Sequence, residues 1–151
     1  MIRHLTVAAA MLVAAPALAQ EFEAPTGDAA AGESAFRQCQ SCHVVQDASG
    51  EVLAGRAAKT GPNLYGVIGA PYAHMEGFRY SDIMAQAGEE GHLHDTEADF
   101  VAYVMDPTGH LRELTGDSSG RGKMTYKVRK EEDAVNLYAF LAQFSEAGGG
   151  S

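Results

Sequence analysis

Two cysteines and a histidine set the terms for this fold. Cys39-Gln40-Ser41-Cys42-His43 holds the only cysteines in 151 residues, with an imidazole directly after the second. A C-x-x-C-H run is what covalent attachment of a c-type haem requires. Two thiols add across the porphyrin vinyl groups, and the adjacent ring ligates the iron from one face. A chain carrying such a plate has to close around it. Three other uses of the two thiols fare worse. A disulfide between them would close almost no loop and would restrain little of the unfolded chain. A dithiol oxidoreductase needs its first cysteine at a helix start, whereas here the helical pattern precedes Cys39 and the motif lies at its end. Zinc needs a second ligand pair at the proper spacing, and none follows.

Arg3 and His4 precede an apolar run, Leu5 to Ala15, which ends at Pro16-Ala17-Leu18-Ala19. Basic, then apolar, then small is the order of a signal peptide, so 1–19 is expected to be removed and the mature chain to begin near Gln20. The run is shorter than the roughly 20 apolar residues of a membrane anchor. A soluble, periplasmic product follows from that reading. A composition that is 46% apolar permits one domain with a modest core.

Residues 20–27 mix acidic, Pro and Gly positions and read as a flexible lead-in. A domain over 28–144 is expected to follow, opened by Asp28 as an N-cap. Ala29, Gly32, Phe36 and Cys39 then recur at three- and four-residue spacing and mark one helical face that ends on the haem motif. Gly32 is costly inside a helix and implies close approach by another element. From Val44 to Gly61 the pattern is irregular, and Thr60 to Gly69 reads as a structured loop. A short helix is predicted from Ser81 to about Ala87, stopped by Gly88. Another begins at Thr96, capped with Asp99 three residues on, buries Phe100, Val101 and Val104, and ends at Asp106-Pro107. The polar, glycine-rich stretch from Gly109 to Arg129 reads as loop. The last helix is predicted from about Lys130 to Phe144, with Glu131, Glu132 and Asp133 favourable in its first turn. Its packing face is Ala134, Leu137, Phe140, Leu141 and Phe144. Residues 145–151 read as a disordered tail. No strand is predicted, so the fold class is all-α: about four or five helices and long loops around one covalently bound haem.

An electron-transfer haem with six ligands needs a donor on the far side of the iron, and a methionine thioether suits a raised potential. Met84 and Met105 fall on predicted helices, where methionine is ordinarily a gap-filling core residue. Met75, in the loop after Pro62, and Met124, in the pliable loop before the final helix, remain. Met124 is preferred and Met75 is its rival. His74, His92, His94 and His110 read as solvated loop histidines, with bis-histidine ligation through one of them as a minor alternative.

Gly27-Asp28, Gly32, Phe36, the Cys39–His43 motif, Thr60-Gly61-Pro62-Asn63-Leu64-Tyr65-Gly66, Lys123-Met124-Thr125-Tyr126, Leu137 and Phe140 together resemble the class I cytochromes c. The likeness is greatest to the cytochrome c2-like soluble carriers of bacteria, and it spans Gly27 to Phe144. The resemblance implies a class I cytochrome c fold. It also implies one haem c held by Cys39 and Cys42, with His43 and Met124 as axial ligands and the Pro62 carbonyl on His43 Nδ1. Tyr103 would lie near the methionine sulfur and Tyr80 near a haem propionate. Gly32 and Phe36 would pack on Leu137 and Phe140. The sequence departs from the family at Ala70, where an arginine is usual, and in having no tryptophan.

The implied activity is electron transport rather than enzyme catalysis: a monomeric shuttle between a cytochrome bc-type donor and a terminal oxidase or photosynthetic reaction centre. The alternative is a haem protein with an open sixth position, acting as a peroxidase-like enzyme or gas sensor. Net charge is −9, which argues against a polyanionic partner such as nucleic acid. Yet Arg112, Arg121, Lys123, Lys127, Arg129 and Lys130 flank Met124 against only Glu113 and Asp117. A positive rim on an acidic body would steer the haem edge to an acidic docking patch.

Overall fold

The computed structural model describes residues 22–145, so the expected signal peptide over 1–19 lies outside the described residues. Five helices and one short hairpin follow in the order α1 (Ala29–Phe36), β1 (Val44–Gln46), β2 (Val52–Gly55), α2 (Asp82–Glu89), α3 (Glu97–Met105), α4 (Pro107–Thr115) and α5 (Glu131–Ala142). The mostly helical fold class stands.

α1 begins where Asp28 accepts from the Ala30 and Ala31 amides, at 2.8 and 3.2 Å. The Asp28 amide in turn donates to Asn136 Oδ1 of α5 at 2.8 Å, which fixes the crossing of first and last helices at its start. Gly32 is the point of closest approach. A Cβ there would stand 2.0 Å from the Asn136 carbonyl oxygen and 2.7 Å from Phe140 Cβ. One turn on, Phe36 and Phe140 rings meet at 5.3 Å. Gly32→Ala should therefore force the helices apart and cost about 1–3 kcal/mol, the range for overpacking. Guanidinium unfolding of the haem-loaded protein reads this directly, and an unchanged midpoint would contradict the crossing.

α5 is buried on more than one stripe: Tyr138 and Ala139 join the expected Ala134, Leu137, Phe140 and Leu141. The covering element is the lead-in. Glu23 receives the Tyr138 hydroxyl on its carbonyl at 2.8 Å, and its carboxylate takes the Glu97 amide at 2.9 Å. Thr26 bonds both carboxylate oxygens of Glu97. Residues 22–27 are thus fastened, not loose as their composition implies, because caps for α3 and a partner for Tyr138 come from them. Of the 145–151 tail only Ser145 is described, and it is buried.

Three other local readings change. The hairpin was missed because its strands are three and four residues long, too short for alternation to show, and are offset by a bulge between Val45 and Gln46. α4 was missed because Pro107 reads as a stop. It is also an N1 residue, and Asp106 ends α3 while accepting from the Gly109 amide to open α4. α2 runs through Gly88, where the Tyr72 carbonyl lies 2.2 Å from the position of a Cβ. The 66–72 loop is laced to 92–94 by Gly69 N–H to His94 O, His94 N–H to Ala70 O and Tyr72 N–H to His92 O. A second small core of Tyr72, Ile83, Ala87 and Leu111 lies beneath it, with Met84 packed against it; Met105 packs on the main core.

Candidate haem-binding site

α1 ends at Phe36, and the chain turns so that the Cys42 and His43 amides both donate to the Cys39 carbonyl, at 3.0 and 2.9 Å. This turn brings the two half-buried free thiols and the His43 ring into one short stretch. Burial, with Cys42 beside it, pushes the Cys39 thiol up to about 11. A dithiol redox centre needs the opposite, a thiolate favoured near neutral pH.

The 60–64 loop is tied along this motif by Gly61 N–H to Cys42 O at 2.7 Å and Leu64 N–H to Val44 O at 2.8 Å. Between those ties, His43 Nδ1 meets the Pro62 carbonyl at 2.9 Å. A carbonyl only accepts, so Nδ1 carries the proton and Nε2 keeps its lone pair. Burial lowers the proton affinity of His43, and the Pro62 bond only partly offsets it, so the ring is neutral. A neutral imidazole with one nitrogen pinned is the form in which histidine ligates a metal. The donor set fits a haem: two unpaired thiols at the attachment spacing and an oriented ring nitrogen beside them.

Gly61 makes the geometry possible. A Cβ there would lie 2.4 Å from His43 Cε1 and 2.7 Å from Nδ1. Gly61→Ala should displace the ring, break the Pro62 bond and lower the yield of pigmented protein several-fold. Haem-stained yield against total polypeptide measures this, and wild-type pigment content would refute it. The sequence reading passed over Asn63, whose amide acts as a substitute strand. Its Oδ1 accepts from the Gln46 and Tyr65 amides, and its Nδ2 donates to the Gln46 carbonyl at 2.6 Å. That clamp holds Pro62 against the hairpin; an asparagine directly after the proline was the only available signal.

Met124 lies half-buried in the extended segment after α4. Its segment is fastened at three points. Lys123 Nζ donates to the Arg79 carbonyl, next to Tyr80. The Tyr126 hydroxyl donates to Gln38, next to Cys39. Val128 N–H donates to the Val104 carbonyl at 2.9 Å, next to Tyr103. Met124 is therefore strapped among the neighbours of the other expected site residues. Its rival Met75 instead gives its own amide to the Tyr80 hydroxyl at 3.2 Å. Burial raises the proton affinity of both Tyr80 and Tyr103, so each phenol stays protonated.

The histidines depart most from expectation. His94 is buried, its ring 3.7 Å from that of Tyr72 and 5.3 Å from Tyr103. His110, on α4, bonds Asp99 at 2.8 Å and the Tyr72 hydroxyl at 3.1 Å. His74 Nε2 is buried as well. Only His92 keeps the solvated-loop character expected of all four, with Glu90 at 3.6 Å.

No family-wide profile matches the chain. Individual proteins do. Cytochrome c2 of Rhodovulum adriaticum is 65% identical over 117 residues, covering 78% of this chain and 92% of that protein. Cytochrome c2 of Cereibacter sphaeroides is 52% identical over 137 residues, 90% of each. The chain belongs to the cytochrome c2 family. The crystal structure of cytochrome c2 from Rhodobacter sphaeroides superposes with a TM-score of 0.76 at 52% identity, over 79% of this chain and 97% of that one. The fold is that of a class I cytochrome c, and this cytochrome is an electron-transfer protein carrying one covalent haem c, not an enzyme. No helix among the described residues is long and apolar enough to cross a membrane.

Proposed function

We propose that this cytochrome is a periplasmic single-electron shuttle in which Cys39 and Cys42 form the thioether links and His43 and Met124 are the axial ligands. The observation that carries this reading is the Met124 segment, strapped beside Cys39, Tyr80 and Tyr103 while His43 is oriented by Pro62. The bound haem supplies an iron that passes between ferric and ferrous states. The protein's own groups set how readily it does so. The Pro62 carbonyl fixes the His43 tautomer and strengthens Nε2 as a donor. The Met124 thioether, a softer ligand, favours the reduced state and raises the potential. Tyr103 and Tyr80 would border the haem as neutral phenols, since burial keeps both protonated.

Arg121, Lys123, Lys127, Arg129 and Lys130 are exposed along the segment around Met124. Lys127 pairs with Asp106 at 2.7 Å, a surface pair of small energetic weight. The remaining charge favours rapid, salt-sensitive docking on acidic patches, and a small interface suits a carrier that has to leave again. A cytochrome bc-type complex as donor, and a terminal oxidase or photosynthetic reaction centre as acceptor, fit those requirements. Export follows from the 1–19 segment.

Absorption spectra of the periplasmic protein test the ligation. A weak red-edge band in the ferric state, from sulfur-to-iron charge transfer, is expected, together with slow carbon monoxide binding in the ferrous state. Absence of the band with rapid carbon monoxide binding would assign the chain to the open-site class instead.

A further inference from the structure

Asn63 is no ligand, yet its side chain makes three bonds beside the attachment motif, all of them to main chain. Oδ1 accepts from the Gln46 amide at 2.9 Å and the Tyr65 amide at 3.1 Å, and Nδ2 donates to the Gln46 carbonyl at 2.6 Å. The pair to Gln46 reproduces what a neighbouring strand would offer β1, one donor and one acceptor to the same residue. β1 is thus bracketed, by β2 on one edge and by residues 61–64 on the other.

Pro62 is the reason such a device is needed. Main-chain rungs tie the loop on either side of it, Gly61 N–H to Cys42 O at 2.7 Å and Leu64 N–H to Val44 O at 2.8 Å. Pro62 has no N–H with which to add a rung of its own, yet its carbonyl has to meet His43 Nδ1, at 2.9 Å. A side-chain amide on the next residue supplies the missing rung. His43 leads directly into β1, and Pro62 directly into Asn63, so the register of the clamp is also the register of the His43–Pro62 bond. A carbonyl bonded to the far ring nitrogen strengthens the ligating one as a donor, and a stronger donor favours the ferric ion.

We propose that Asn63 is a positioning residue: by holding the Pro62 carbonyl in register with β1, it sets the donor strength of His43 and so the midpoint potential. This rests on the reading of His43 as an axial ligand. Heteronuclear NMR of the ferrous holoprotein and spectroelectrochemistry test it together. In Asn63→Ala the His43 Nδ1 proton should exchange with solvent about tenfold faster, the equivalent of one net hydrogen bond. The ferrous-to-ferric ratio at a fixed applied potential should rise several-fold in the same variant. Tyr138→Phe, which removes the bond from α5 to the Glu23 carbonyl, is the control for general loosening and should move neither. Should Asn63→Ala give no pigmented protein, wild type still decides. Its Gln46 and Tyr65 amides and its His43 Nδ1 proton should exchange at matched rates, as members of one opening unit. The proposal is overturned by an Asn63→Ala variant that loses only denaturant resistance, or by a Tyr138→Phe shift of equal size. Fast Gln46 and Tyr65 amides beside a slow His43 proton would overturn it as well. A His43 ring signal without the porphyrin's ring-current shift would take His43 off the iron, so that the ligand reading fails and the proposal with it; the two failures are distinguishable.

Discussion

Met124→His is expected to leave the pigment covalently bound and to lower the midpoint potential by on the order of 0.1 V or more, within the roughly 0.8 V that axial ligands span. Imidazole is the stronger donor and stabilises the ferric ion, so exchanging the thioether for it favours oxidation. The covalent links are proposed at Cys39 and Cys42, which this change does not touch. Positioning is not expected to fail, because the straps lie on either side of the substituted residue: Lys123 to Arg79 before it, Tyr126 to Gln38 and Val128 to Val104 after it. Spectroelectrochemistry measures the potential, and the red-edge ferric band should vanish in the same sample. An unchanged potential with the band intact would remove Met124 from the iron and return Met75 to consideration.

The second large effect is expected far from the thiols. Asp99→Ala should destabilise the protein by about 3–5 kcal/mol at neutral pH, the range for removing one partner of a buried charged network. Asp99 receives the Tyr72 hydroxyl at 2.8 Å and His110 Nε2 at 2.8 Å, with His94 at 3.4 Å. These groups come from the 66–75 loop, α4 and the segment before α3, so one carboxylate ties three elements. Its side chain is only 17% exposed, and those of His94 and His110 are 4% and 11% exposed. Burial alone would raise its pKa, but the hydrogen bonds from His110 and Tyr72, with the His94 ring close by, outweigh burial and hold it well below the usual carboxylate range. A depressed folded-state pKa means stabilisation present above the unfolded value, about 3.9, and lost as pH falls below it. Denaturant midpoints of wild type and variant should therefore differ most near pH 7 and converge in strong acid. A gap that is small, or constant with pH, would show that the network contributes little.

How much of this was legible beforehand differs by residue. The thiol spacing, the Asp28 and Thr96 caps, the costly Gly32 and the acidic first turn of α5 are local signals, and each reported correctly on its own surroundings. Pro107 shows the limit of local reading, since the same residue type ends one helix and starts the next. The lead-in shows another. Its polar composition describes Glu23 and Thr26 accurately, but their partners are Glu97 and Tyr138, more than 70 positions away.

The histidines make the same point more sharply. Nothing within ten residues distinguishes His92 from His94, yet one faces solvent and the other is stacked on Tyr72. Sequence alone determined that the chain binds a covalent haem and pointed to Cys39, Cys42 and His43 as the residues to hold it, because attachment chemistry is written in five consecutive residues. Only the tertiary structure decided how Asn63 holds Pro62, which methionine is strapped into place and which imidazoles are buried. Those properties belong to contacts between distant segments, and burial is a sum over neighbours that no single stretch of chain contains.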